Sequence, residues 1–155
     1  MVNKTINETI KYAVPEEMRE MTEEEHKKFF PFSDEQAYGL YNEEKHTLIA
    51  AIYKKRPFLV GTMGSEEDIL KATEKKLQKQ IPTLETVGQE GKMIDQMPRK
   101  SFKFQYTVQG IKQVGEYVLC HFSKYDCAFE YITREEYAEF AKQKFDAFLK
   151  SISFK

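Results

Sequence analysis

Apolar and polar residues alternate over "SFKFQYTV", where Phe102, Phe104, Tyr106 and Val108 occupy every second position. A period of two puts them on one face of a strand. Gln109-Gly110 follows as a turn and "IKQVGEYVLCHF" returns, so the pattern predicts a β-hairpin. "IKYAV", Ile10 to Val14, also alternates and stops at Pro15, as an opening strand does. Thr22 with Glu25 three residues on matches a capping box, which predicts a short helix from Glu23 to Phe30 ending at Pro31. Gln36 to Lys55 reads as two strands joined by a polar turn at Asn42 to Lys45. In the second of them Leu48, Ala50, Ile52 and Ile49, Ala51, Tyr53 are all apolar, so neither face suits water. A strand of that kind needs cover on both sides, which points to a sheet held between layers.

Ser65 precedes Glu66, Glu67 and Asp68, an N-cap followed by an acidic first turn. Ile69, Leu70, Thr73, Leu77 and Ile81 then recur at helical spacing, with Lys71, Lys75, Lys76 and Lys79 on the other side, giving an amphipathic helix that ends at Pro82. Thr83 to Ile94 reads as one strand or two, with Gly88 and Gly91 marking a turn or bulge. Thr133 with Glu136 forms a second capping box. Tyr137, Phe140, Ala141, Phe145, Phe148, Leu149 and Ile152 behind it make one broad apolar stripe, so a terminal helix of about four turns is expected to lie on the sheet. The order of elements defines an α+β class, a three-layer α-β-α sandwich with a mostly antiparallel sheet.

Length suits one domain over residues 1–155. The 24 basic and 25 acidic side chains nearly cancel, which disfavours nucleic acid and anionic membranes as partners. No apolar stretch is long enough to span a bilayer and no signal-like segment opens the sequence, so membrane insertion is not expected and the chain reads as cytoplasmic. Two cysteines in such a chain are expected to be thiols.

The densest chemistry lies in "YVLCHFSKYDCAFEY", Tyr117 to Tyr131. If the turn falls at Ser123-Lys124, Cys120 opposes Cys127 and His121 opposes Asp126. Val118, Cys120, Phe122, Tyr125, Cys127, Phe129 and Tyr131 then share the more apolar, inner face. Tyr117, Leu119, His121, Asp126, Ala128, Glu130 and Ile132 share the other face, which reads as solvated. Zinc needs ligands converging at about 2.0 to 2.3 Å. Here Cys120 and His121 point to opposite faces, which disfavours a metal site and a Cys-His nucleophile alike. No cofactor is expected, since Gly61 to Ser65 lacks the phosphate-loop lysine and is followed by three acids. Glu116, Glu130, Glu135 and Glu136 do not define a catalytic pair, and the basic runs at Lys54 to Arg56 and Arg99-Lys100 read as solvated edges.

Apolar residues escape any period in "KKFFPFSDE" and "KKRPFLVGTMG". Phe29, Phe30, Phe32, Phe58, Leu59 and Met63 are therefore the candidate partner-binding residues, aromatics and a methionine on loops beside flexible glycines.

"FKFQYTVQGIKQVGEYVLCHFSKYDCAFEYITREEYAEFAKQKFDAFLKSISF", Phe102 to Phe154, resembles the closing pattern of the PsbP-like superfamily, which includes the Ran-nucleotide-release factor and DcrB-like bacterial proteins. "IKYAVPEEM" resembles that superfamily's opening strand, proline and short helix. The resemblance implies an α-β-α sandwich around an antiparallel sheet and a role in binding or assembly. Members include photosystem subunits, a small-GTPase partner and chaperones that hold hydrophobic helices of secreted effectors. No residue here matches a functional motif of the superfamily. The leading expectation is a non-enzymatic binding or chaperone-like domain for a segment of a protein partner. A small-ligand binder or hydrolase-like enzyme with a cleft near His121, Asp126 and Tyr117 is the alternative, and a structural subunit of a homo-oligomer is the third.

Overall fold

The computed structural model describes residues 2–6, 10–29, 36–55, 66–122 and 125–154. Its elements in chain order are β1 (Val2–Ile6), β2 (Ile10–Val14), β3 (Arg19–Glu20), α1 (Glu23–Phe29), β4 (Gln36–Asn42), β5 (Thr47–Lys55), α2 (Glu66–Gln80), β6 (Glu85–Ile94), β7 (Met97–Val108), β8 (Ile111–Phe122), β9 (Tyr125–Arg134), α3 (Ala138–Ser151) and β10 (Ser153–Phe154).

Seven strands form one sheet in the order β3-β4-β5-β9-β8-β7-β6, every neighbouring pair antiparallel. The β7–β8 hairpin turns at Gln109 and Gly110, both with positive φ (51° and 79°), the geometry that Gly favours at a tight hairpin. β6 is a single strand whose register shifts between Thr86 and Gly88, so Gly88 adjoins a bulge while Gly91 pairs with Lys100 without a break. The β8–β9 register sets Cys120 opposite Cys127 and His121 opposite Asp126, as the alternation requires.

β5 lies in the middle of the sheet and is covered on both sides. Ile49, Ala51 and Tyr53 join one core with Val118, Cys120, Cys127, Phe129 and Tyr131. α3 fills that core with Ala141, Phe145, Phe148 and Leu149. Leu48 and Ala50 are buried on the opposite face beneath Met21. Both cysteines are buried thiols. The inner face is therefore the one that the alternation indicates.

Two features depart from the expectations. The other face of β8 and β9 is not a solvated one, because Leu119 and Ala128 are only 2% and 3% exposed there. Burial of Leu119 against Leu70 of α2, with Phe102 and Phe104, provides the cover. The second capping box does not form either. Thr133 stays in β9, fully buried, with its hydroxyl 2.9 Å from that of Thr47, and a 3-10 turn at Glu135–Tyr137 carries the chain into α3. A cross-strand hydroxyl pair thus takes the side chain that a cap needs. β2 lies outside the seven-stranded sheet. It pairs with β1 and β10 in a three-stranded sheet of its own and packs on α3 through Tyr12 and Phe148, whose ring centroids are 5.5 Å apart. The Ala13 N–H donates to Ser151 Oγ (2.9 Å), and the Phe154 N–H donates to Asp95 Oδ2 (3.0 Å).

One carboxylate is buried under α3. Glu116 is 1% exposed, accepts a hydrogen bond from the Ser101 hydroxyl (3.1 Å) and lies 3.5 Å from Lys92 Nζ, which also reaches Asp146 of α3 at 3.6 Å. Burial pushes the Glu116 carboxyl above its ordinary 4.5 although Lys92, Ser101 and Lys103 oppose the shift. The folded chain therefore binds this proton more tightly than the unfolded chain. The group favours folding below 4.5, and that contribution is lost as pH rises through the raised value. Lys92→Met, which strands the carboxylate, is expected to destabilise by about 3 kcal/mol at neutral pH. The double variant Lys92→Met/Glu116→Gln is expected to recover most of that loss, and Glu116→Gln alone to flatten this part of the pH dependence. Urea unfolding of the variants across pH measures all three.

Candidate functional site

The outer face of the seven-stranded sheet carries two helices of unequal size. α2 sets Leu70 and Leu77, and the turn after it sets Ile81, against Phe102, Phe104 and Leu119 on the β7–β8 side. α1 lies at the β4 edge, where Phe29 meets the Tyr41 ring at 5.3 Å. Between them a cavity of about 300 Å³ runs over the sheet, at the small end of the range for ligand sites. Its floor is Leu48 and Ile52 of β5, Glu130 and Ile132 of β9, and Tyr117 of β8. Phe104 and the α2 positions Thr73, Lys76, Leu77 and Gln80 form one wall, and Phe29 the other. The lining is mostly apolar.

Strand alternation explains this composition. Tyr117 and Glu130 are register partners, as are Leu48 and Ile132, so these four side chains must emerge on one face of three adjacent strands. Gly115 gives Phe104 its seat. A Cβ there would run into the Phe104 ring and the Tyr131 carbonyl, so only glycine lets the ring lie down across β8. Phe104 also stacks on Tyr106 at 6.2 Å. Burial, reinforced by the negative charge of Glu130, pushes the Tyr106 hydroxyl up to about 12.

α1 is pinned from outside the groove. The Thr22 N–H donates to Glu25 Oε1 (2.9 Å) and the Glu25 N–H donates to Thr22 Oγ1 (3.2 Å), the reciprocal pair of a capping box. Arg19 grips the same carboxylate with two hydrogen bonds of 2.7 and 2.9 Å. The Arg19 guanidinium, helped by the Thr22 N–H, holds the Glu25 carboxyl down at about 2.

The structure places the sequence-derived candidates unevenly. Phe29 lies in the groove wall. Phe30, Phe32, Phe58, Leu59 and Met63 lie outside the described residues. Tyr117, named for the alternative cleft, is on the groove floor, and its ring stacks on Phe102 at 5.4 Å. His121 and Asp126 are opposed in register between β8 and β9, and their side chains lie outside the described residues. Among the described residues, no cluster of His, Cys, Asp or Glu could hold a metal ion, and no helix is long and apolar enough to cross a membrane. Glu130, Leu48 and Ile52 were not singled out from the sequence as site residues. The signal for two of them was present, since β5 is apolar on its outer face too.

The chain has a PsbP/Mog1-like fold. No family model matches the chain, and no curated protein matches it in sequence. Solved structures carry the likeness. Cyanobacterial PsbP (CyanoP) from Synechocystis sp. PCC 6803 superposes with a TM-score of 0.69 at 10% identity over 99% of this chain and 92% of its own. LpqN, involved in cell envelope biogenesis of Mycobacterium tuberculosis, gives 0.67 at 12% identity over 94% and 83%. The Saccharomyces cerevisiae Ran-binding protein Mog1p gives 0.58 at 11% over 93% and 84%. At these identities the likeness is one of fold.

Gly115→Ala is expected to push Phe104 off its seat and cost about 2 kcal/mol, read as a lower urea midpoint with an unchanged slope. Because the folded Glu25 value is depressed, its contribution is present above 4.5 and is lost as pH falls towards 2. Glu25→Gln is therefore expected to weaken the acid dependence of stability below pH 4.5, measured by thermal unfolding across pH.

Proposed function

We propose that this chain is a non-enzymatic binding domain of the cytoplasm that takes an apolar segment of a protein partner into the groove between α1 and α2. The observation that carries the reading is the groove itself, an open, mostly apolar cavity of about 300 Å³ with aromatic rings on both walls. That space suits two or three aliphatic side chains. Phe29, one of the six candidate partner-binding residues, lies in this groove. Phe30, Phe32, Phe58, Leu59 and Met63 follow α1 and precede α2 in sequence, and they are kept in the proposed partner-binding set on the sequence alone. Mog1p, which shares the fold, is a Ran-binding protein, which supports protein recognition in general terms.

A small-ligand site is the second reading. It is favoured by Tyr117 and Glu130, register partners that place a phenol and a carboxylate together on the groove floor.

Photo-crosslinking tests the first reading. A photoreactive phenylalanine at position 29 is expected to capture a partner from the native cell that the same group at Lys79 does not. A peptide made from the captured segment should then bind the purified protein and lose at least about tenfold in affinity on Leu77→Asp, the cost of setting an unpaired charge in an apolar wall. Equal capture at both positions, or an affinity that Leu77→Asp leaves unchanged, would sink the groove as the site.

A further inference from the structure

The groove is mostly apolar within and cationic at both lips. On the α2 side Lys76 and Gln80 border the cavity, one turn apart on the same flank of the helix. On the α1 side the Lys28 ammonium stands over the Phe29 ring, 5.4 Å from its centroid, and that ring is the wall. Both lysines are exposed, and among the described residues neither makes an ion pair.

Neighbouring acids do not answer these charges. Glu25 of α1 is held by Arg19 and by the Thr22 N–H. Glu74 of α2 accepts a hydrogen bond from the Thr86 hydroxyl, on the β6 side. Glu23 and Glu24 open α1, a turn or more before Phe29. Glu130 lies on the groove floor, where its charge bears on Tyr106. The C-terminus of α2 carries a partial negative charge of about one half, which Lys75, Lys76 and Lys79 in its last two turns outweigh.

A lysine at such a lip serves two purposes, since its methylenes lie along apolar surface while the ammonium stays at the water's edge. We propose that the occupant of the groove is an acidic-apolar segment: two or three apolar side chains enter the cavity, and carboxylates on either side of them meet Lys28 on one lip and Lys76 with Gln80 on the other. A segment flanked by lysine or arginine sets like charges together at both lips. An uncharged one gains from the cavity alone. Charge complementarity therefore selects among apolar segments that the cavity by itself would accept equally.

The inference rests on the groove as the binding site, and the test separates the two. Three synthetic peptides share one apolar core and differ only in their flanking residues, which are glutamate, glutamine or lysine. Each competes with the neutral dye N-phenylnaphthylamine for the full-length protein. The ratio of their inhibition constants on one protein cancels any difference in dye affinity or folding between variants. At low ionic strength the glutamate peptide is expected to bind about fivefold more tightly than the glutamine peptide, and the lysine peptide about fivefold more weakly, the effect of two exposed charge contacts. Salt compresses this spread, because the Debye length falls to about 3 Å at 1 M. The double variant Lys28→Glu/Lys76→Glu is expected to invert the order. Lys142→Glu/Lys150→Glu, on α3 across the sheet, makes the same change in net charge and is expected to keep it. An order that the lip variant leaves intact, or that the α3 variant inverts as well, overturns the acidic segment. So does a dye that decanoate displaces and no peptide does, which assigns the lips to an anionic amphiphile. Dye affinity that Leu77→Asp leaves unchanged sinks the groove as the site, and the segment with it.

Discussion

β5 has no face that can meet water, and the architecture follows from that one constraint. Its inner residues Ile49, Ala51 and Tyr53 require a helix, which α3 supplies with Phe145 and Phe148. Its outer residues Leu48 and Ala50 require a second layer, and the chain provides one from two short pieces, α2 and the α1 segment with Met21. A strand exposed on one side would have allowed a two-layer protein.

The second layer is too narrow for its task, and the groove is the result. Seven strands at a spacing of about 4.8 Å make a sheet roughly 29 Å across, while one helix is about 10 Å wide and covers about two strands. α2 sits over β7 and β8, α1 lies at the β4 edge, and the floor between them is β9 and β5. Side chains that emerge there, Glu130 apart, are apolar because they border a core, yet they are not fully enclosed. The same geometry leaves α1 dependent on a few polar contacts, the hydrogen bond from the Gly39 N–H to His26 Nε2 among them. On the other face, α3 covers the main sheet fully enough to bury Glu116 beside a half-buried Lys92.

Much of the fold was legible in the residues. Local rules placed the capping box at Thr22, the hairpin at Gln109-Gly110 and the opposition of Cys120 and Cys127, because each depends on spacing along a few residues. Thr133 shows where such rules fail. Its spacing to Glu136 suits a cap, but its hydroxyl is taken by Thr47, 86 residues away in sequence. The site was less legible. Phe29 was marked because it broke the apolar period, whereas Glu130 and Ile52 sit inside ordinary strand patterns and become site residues only where the helices leave a gap.

Strand and helix periods, turn glycines and the double apolarity of β5 determined by themselves that this chain forms a covered, antiparallel α+β sandwich, since these are properties of neighbours along the chain. Tertiary structure alone decided which faces close and which stay open. It put β2 in a sheet with β1 and β10, turned the supposedly solvated face of β8 and β9 inward, and buried Glu116. It also set His26 against the backbone of Gly39. Each of these depends on residues distant in sequence competing for the same apolar cover or the same hydrogen-bond donor, and no local pattern records the outcome of that competition.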